Sequence, residues 1–220
     1  MSGRPREPIV VLISGRGSNM RALIERSRDP ASAYTVRKVF SDRADAAGLE
    51  VARALGIPAQ ALPAAAATDR ADYDLALAAA VGESSPALIV LAGFMRILSA
   101  QFVAKFAGRM LNIHPSLLPK YPGLHTHRRA LEAREAQHGA TVHFVTEQLD
   151  GGPAVIQARV AVAADDDEAS LAARVQVLEH RIYPVAVHWF CEGRLRCDAG
   201  QALLDGLPLR EPVQYADPER

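Results

Sequence analysis

The stretch Leu111-Asn112-Ile113-His114-Pro115 sets an amide and an imidazole two residues apart at the end of an apolar run. In an extended chain that spacing sends both side chains to the same side. Together they can supply hydrogen bonds, and a proton, to one reacting oxygen. A lone histidine among apolar residues is most often a satisfied core residue; the adjoining Asn112 and the proline-constrained exit favour chemistry here. Downstream, Leu149-Asp150-Gly151-Gly152-Pro153 opens a flexible turn with an aspartate. Asp-Gly is ordinary turn chemistry. If the fold brings Asp150 beside His114, however, the carboxylate can hold the imidazole in its protonated form, ready to stabilise an oxyanion. Spacing alone does not bring the two together.

A second candidate lies near the start. The loop Gly15-Arg16-Gly17-Ser18-Asn19 separates a buried strand from a helix, and free amides at a helix start attract anions. It lacks the third glycine of a dinucleotide fingerprint and the Lys-Ser/Thr pair of a P-loop, so a monophosphate fits better than a dinucleotide or a triphosphate. A tight turn without a ligand is the competing reading. Far along the chain Glu179 falls within the apolar arc of Leu171, Val175, Leu178 and Ile182. A carboxylate on a buried face needs a partner, which ligand hydroxyls or an amine can supply, or else a structural ion pair with Arg174 or Arg181. His125-Thr126-His127 lacks the companions of a metal site, and no metal is expected.

The elements that must position these residues follow from periodicity. Ile9–Ile13 is an uninterrupted, largely β-branched strand, followed by an amphipathic helix over Met20–Arg26. Thr35–Phe40 reads as a strand and Ala46–Leu55 as a helix stopped by Gly56 and Pro58; Asp69–Val81 is a helix, and Ala87–Ala92, the most apolar run, a central strand. Helix Ala100–Phe106 leads to a strand at Met110–Ile113, then a proline-rich loop over Pro115–Gly123. Helix His127–Glu135 precedes strands Ala140–Val145 and Ala154–Val162, which can pair antiparallel, and a long helix spans about Ala169–Trp189 behind the acidic cluster 165–168. The tail after Arg196 reads as an irregular or hairpin wrap with a loose end. The expected fold is α/β: a doubly wound, mostly parallel, Rossmann-like sheet with at least one antiparallel strand in the C-terminal half.

Composition narrows the function. The 220 residues suit one domain. Equal numbers of basic and acidic groups, 25 of each, give no field for nucleic acid or an anionic membrane, so neither is expected as a partner. Cys191 and Cys197 form no disulfide framework and read as reduced thiols in the cytoplasm. The opening apolar run is too short for a signal peptide.

Taken in order, "VVLISGRGSN", "VFSDRADA", "VLAGFMRILS", "GRMLNIHPSLLPKYPGLHTH", "HGATVHFVTEQLDGGP" and "EHRIYP" resemble the folate-dependent glycinamide ribonucleotide transformylases over roughly residues 9 to 195. The resemblance implies a Rossmann-like formyltransferase fold that moves a formyl group from 10-formyltetrahydrofolate to glycinamide ribonucleotide. It implies that Gly17, Ser18 and Asn19 hold the ribonucleotide phosphate and Glu179 its sugar. Arg70, Met95, Arg96, Ile97 and Leu98, with Asn112, match the folate-binding positions, where the backbone receives the pterin-like ring and Arg70 meets the glutamate tail. Asn112, His114 and Asp150 match the catalytic trio. Arg16 stands where a smaller polar residue such as Asn would also be accepted, and it can add a cation near the phosphate.

Residues 1–200 are then one formyltransferase domain, with a phosphate-binding half over about 9–100 and a catalytic and folate-binding half over about 101–195; 201–220 form a C-terminal tail. A monomer or weak homodimer is expected. The competing readings are a formyltetrahydrofolate hydrolase, which shares the Asn-x-His and Asp pattern but typically carries an extra amino-terminal domain, and a non-catalytic folate- or nucleotide-binding sensor on the same fold. Methionyl-tRNA formyltransferases share the catalytic pattern too, but append an RNA-binding barrel and lack the Gly-Ser-Asn loop.

Overall fold

β-branched runs that are apolar on both sides can only be covered on both sides, and the chain meets that demand by alternating strands with helices. The computed structural model describes residues 5–63 and 69–216. In chain order the elements are β1 (Glu7–Ile13), α1 (Ser18–Ser27), β2 (Tyr34–Ser41), α2 (Ala47–Ala54), β3 (Ala59–Ala61), α3 (Arg70–Glu83), β4 (Leu88–Leu91), α4 (Ala100–Lys105), β5 (Met110–His114) and α5 (Thr126–Glu132). There follow β6 (Gln137–Phe144), β7 (Ala154–Ala161), α6 (Glu168–Cys191), β8 (Leu195–Asp198), β9 (Gln201–Leu204), β10 (Leu207–Pro208) and β11 (Val213–Gln214).

The main sheet has the order β11-β7-β6-β5-β4-β1-β2-β3. From β3 to β5 all pairings are parallel, whereas β6 runs antiparallel to both β5 and β7. The expected doubly wound sheet with antiparallel strands in the C-terminal half is therefore what the chain forms. Alternation along β1 divides two cores. Ile9, Val11 and Ile13 pack with α1 and with Leu171, Val175 and Ile182 of α6; Val10 and Leu12 pack with Tyr73 and Leu77 of α3 and Phe102 of α4.

α6 starts on a capping box between Asp167 and Ser170, which accounts for the acidic cluster. It continues through Pro184. Next to that proline the buried Tyr183 hydroxyl reaches through the core to the carbonyls of Leu91 (2.8 Å) and Leu111 (2.9 Å), joining the last residue of β4 to the second of β5.

The details beyond this differ in part. α5 ends at Glu132, not Glu135, because Arg134 turns left-handed (φ 51°) and Glu135 is taken up by Lys120 and Tyr121. Of the two forms expected for the tail it takes the hairpin one: β8, β9 and β10 form a small antiparallel sheet, and β11 joins β7. β3 was not foreseen; it has three half-buried residues and too short a pattern to register.

Tyr183→Phe should lower stability by about 1–2 kcal/mol through the lost hydrogen bond. A lower urea midpoint at unchanged slope is the expected record, and an unchanged midpoint would mean the hydroxyl does not tie the strands.

Candidate active site

The carboxyl ends of β1, β4 and β5 open on one edge, and the strand order reverses between β1 and β4, where such sheets leave a crevice. The loops leaving β1 and β4 are tied together there: Ser14 N–H donates to Gly93 O (3.0 Å), and Met95 N–H to the Ser14 hydroxyl (2.8 Å). A pocket beside them is lined by Arg96, Ile97 and Leu98 from the β4 exit, Asn112 of β5, His143 of β6, and Thr146 to Asp150.

Asn112 and His143 face each other across the β5–β6 ladder, and their side chains meet at 3.1 Å. His143 Nδ1 lies 2.9 Å from the Phe144 carbonyl and must carry the proton that bonds it. Burial holds the His143 pKa down, so the ring is neutral and its Nε2 is an acceptor. Asn112 must therefore turn its NH2 toward it, keeping one N–H for the pocket. Asp150 completes the group, with Oδ2 3.4 Å from His114 Nδ1 and Oδ1 3.7 Å from His143 Nε2. His114 is buried, does not line the pocket, and directs Nε2 to the Tyr121 carbonyl at 2.9 Å. Both of its ring nitrogens thus face oxygen. Asp150 is held left-handed (φ 50°) and accepts the Gly123 N–H at 2.8 Å. Gly152 just beyond it admits no side chain, since a Cβ would fall 1.9 Å from the Phe144 carbonyl.

The proline-rich loop is fixed to the sheet by a buried polar set. Thr141 Oγ1 donates to Ser116 O (2.6 Å) and accepts from Leu118 N–H (3.1 Å), while Gln157 Nε2 donates to Leu118 O (2.8 Å). His127, which a His-x-His motif would turn toward a cation, pairs instead with His138 at 3.1 Å. Burial and the neighbouring His127 push His138 down to about 4, and the pair is neutral at neutral pH. Among the described residues no cluster of His, Cys, Asp or Glu groups suited to a metal ion occurs.

At the other side of the crevice Gly17 is left-handed (φ 74°) and precedes α1 without a side-chain cap. That leaves first-turn amides available to an anion. Asn19 Nδ2 donates to Glu179 Oε2 at 2.7 Å, and Gln176 Nε2 to the Ser18 hydroxyl at 3.0 Å, so α6 closes over the glycine loop. Asn19 Oδ1 is buried without a partner. Arg174, an alternative partner for Glu179, turns to Asp166 and the Ala161 carbonyl instead. Arg16 is exposed.

The third group lies after β4. Met95 and Ile97 are large apolar side chains exposed at 68% and 55%, and Ile97 lines the pocket. Arg96 stacks on Tyr73, 4.4 Å from the ring centroid. Arg70 donates to the carbonyls of Ile97 (2.5 Å) and Leu98 (3.1 Å). Sequence reasoning brought out neither His143 nor Gln176. His143 alternates with Val142 and Phe144 and so shares a face with Thr141, a signal open to reading; the register that sets it against Asn112 was not.

A family model described as formyl transferase matches residues 7–187. The phosphoribosylglycinamide formyltransferase of Escherichia coli (strain K12) is 54% identical over 96% of this chain and 99% of its own length. That of Haemophilus influenzae is 43% identical over 91% and 95%. Among solved structures, phosphoribosylglycinamide formyltransferase from Coxiella burnetii superposes with a TM-score of 0.92 at 46% identity, covering 96% of this chain and all of that one.

Burial holds the Glu179 carboxyl above its ordinary range, and the Asn19 hydrogen bond offsets part of that. Above the ordinary glutamate value the folded chain therefore retains a proton that the unfolded chain has lost, so stability falls as pH rises through the native value. Glu179→Gln keeps an acceptor for Asn19 and removes this cost. Its melting temperature at pH 8 should exceed that of the parent by about 2–4 °C per kcal/mol recovered, with the gain shrinking toward pH 4; an equal or lower value at pH 8 would contradict the assignment.

Proposed function

The chain belongs to the formyl transferase family and is a transferase of purine biosynthesis, and we propose that it carries the formyl group of 10-formyltetrahydrofolate to the amine of 5'-phosphoribosylglycinamide. The observation that supports this most is the meeting of Asn112, His114 and Asp150 at the same sheet edge as the glycine loop. In this reading Gly17, Ser18 and Asn19 hold the phosphate at the start of α1, and Glu179 takes the sugar hydroxyls. The folate lies along Met95–Leu98 and reaches Asn112, its tail toward Arg70. Within the 1–200 domain the phosphate would be bound mainly by residues before 100 and the reacting groups drawn from 101–195, with the folate held by residues of both halves.

The amine nitrogen attacks the formyl carbon, a C–N bond forms, and charge gathers on the formyl oxygen. Asn112 has an N–H to give to that oxygen. His114 joins it through Nδ1–H, which its 3.4 Å separation from Asp150 engages only loosely. Asp150 takes the proton the amine loses, directly or through water, and returns it to the departing folate nitrogen as the old C–N bond breaks. Neutral His143 keeps the Asn112 amide aimed at the pocket.

No helix among the described residues is long and apolar enough to cross a membrane, and Cys191 and Cys197 are thiols. The reading of the protein as a cytoplasmic monomer or weak homodimer rests on its sequence and not on these two features.

Purified protein should consume 10-formyltetrahydrofolate only when 5'-phosphoribosylglycinamide is present and release no formate. Loss without the ribonucleotide, with formate appearing, would make it a hydrolase; no consumption in either tube would leave a binding protein. His114→Ala should reduce kcat by about a hundred- to ten-thousandfold at little cost to ribonucleotide affinity. Lost affinity at normal turnover would overturn the role given to His114.

A further inference from the structure

One face of α3 grips the backbone of the segment that follows β4. Arg70, Tyr73 and Asp74 lie at i, i+3 and i+4 and so project together. Arg70 donates to the carbonyls of Ile97 and Leu98, the Tyr73 ring carries Arg96, and Asp74 Oδ2 accepts the Ser99 N–H at 2.5 Å. A cation holds two carbonyls and a carboxyl holds the next amide, so both polarities of the backbone from Ile97 to Ser99 are fixed by one helix. Ser99 in turn caps α4.

Asp74 is costly where it stands. It is 3% exposed, on a helix whose Tyr73, Leu77, Ala78 and Val81 belong to an apolar core. Its Oδ1 is buried without a partner, as are the hydroxyl of the adjacent Tyr73 and the Nε of Arg96, which stacks on the Tyr73 ring. Burial and the charge of Asp42 push the Tyr73 phenol up, with Asp74 adding to the effect and Arg96 opposing it. A carboxyl group with one unmatched oxygen in such a place lowers stability. What it gains is a fixed course for the stretch that lines the pocket through Arg96, Ile97 and Leu98.

We propose that Asp74 is a positioning residue of the formyl-donor subsite: with Arg70 it sets the path of Ile97–Ser99, and thereby the affinity for the folate, without touching the folate. This rests on the reading that the folate lies along Met95–Leu98.

The test is a comparison of the full-length protein with Asp74→Ala and Asp74→Asn, by steady-state kinetics in each substrate and by direct titration with tetrahydrofolate, the product form of the donor. Asp74→Ala should raise the KM for 10-formyltetrahydrofolate and the Kd for tetrahydrofolate about tenfold, with the ribonucleotide KM and kcat within about twofold of the parent; Asn, which keeps an acceptor for Ser99 N–H, should restore both to within about threefold. Should the alanine variant fail to fold, Asp74→Glu carries the same expectation, because the extra methylene moves the acceptor away from Ser99. Unchanged tetrahydrofolate affinity in a folded Ala or Glu variant would overturn the proposal, as would a parallel rise in both KM values, the mark of general loosening. A parent protein that does not bind tetrahydrofolate would instead overturn the reading of the subsite.

Discussion

The sheet surface that β5, β6 and β7 turn away from α6 is polar, and it has to be covered by something that can satisfy it. Alternation puts Leu111, Ile113, Ala140, Val142 and Phe144 in the core shared with α6, which leaves Asn112, His114, Thr141, His143 and, through its pairing with Thr141, Gln157 on the reverse side. A helix covers a sheet with apolar side chains and would strand those groups. Over His114, Thr141 and Gln157 the proline-rich loop does so instead, because a loop has unused amides and carbonyls: Leu118 supplies both, and Ser116 and Tyr121 a carbonyl each, while Asn112 and His143 bond each other and face the pocket. The reacting groups and the means of burying them are thus one arrangement. The site's rigidity comes from the same bonds that allow this half of the sheet to be covered at all.

The opposite end of the crevice is governed by another economy. α1 begins without a side-chain cap and α6 lies across it, bonding Asn19 through a buried glutamate and Ser18 through Gln176. Asn19 Oδ1 is unpartnered, and burial disfavours the charged form of Glu179. Unmet polar capacity in a native fold is commonly a trace of ligand chemistry. Here the two ends share the β1 and β4 exits, which Ser14 locks together with two hydrogen bonds.

Much of this was legible in the chain because the informative patterns are local. The run Ile9–Ile13 followed by glycines, the spacing of Asn112 and His114, and the single acid in the apolar arc of α6 each carry their meaning within a few residues. What was not legible depends on register and long-range closure. His143 becomes part of the site only because β6 runs antiparallel to β5 with Asn112 opposite it. Gln176 matters because a helix 158 residues away lies over Ser18. Arg70 shows the reverse: the resemblance marks it for the folate tail, while its backbone bonds to residues 97 and 98 are invisible to any local pattern.

The two ends of the main sheet share a property that concerns what the protein avoids. β3 contributes three residues and β11 two, each laid against a much longer neighbour. A long bare strand edge is an invitation to another chain, whose backbone can extend the ladder without regard to side chains. Val213 and Gln214 occupy part of that edge on β7 with Arg159 fastened to Gln214 at 2.8 Å, so the end of the described chain acts as a selvage, finishing the fabric where it would otherwise fray into aggregation.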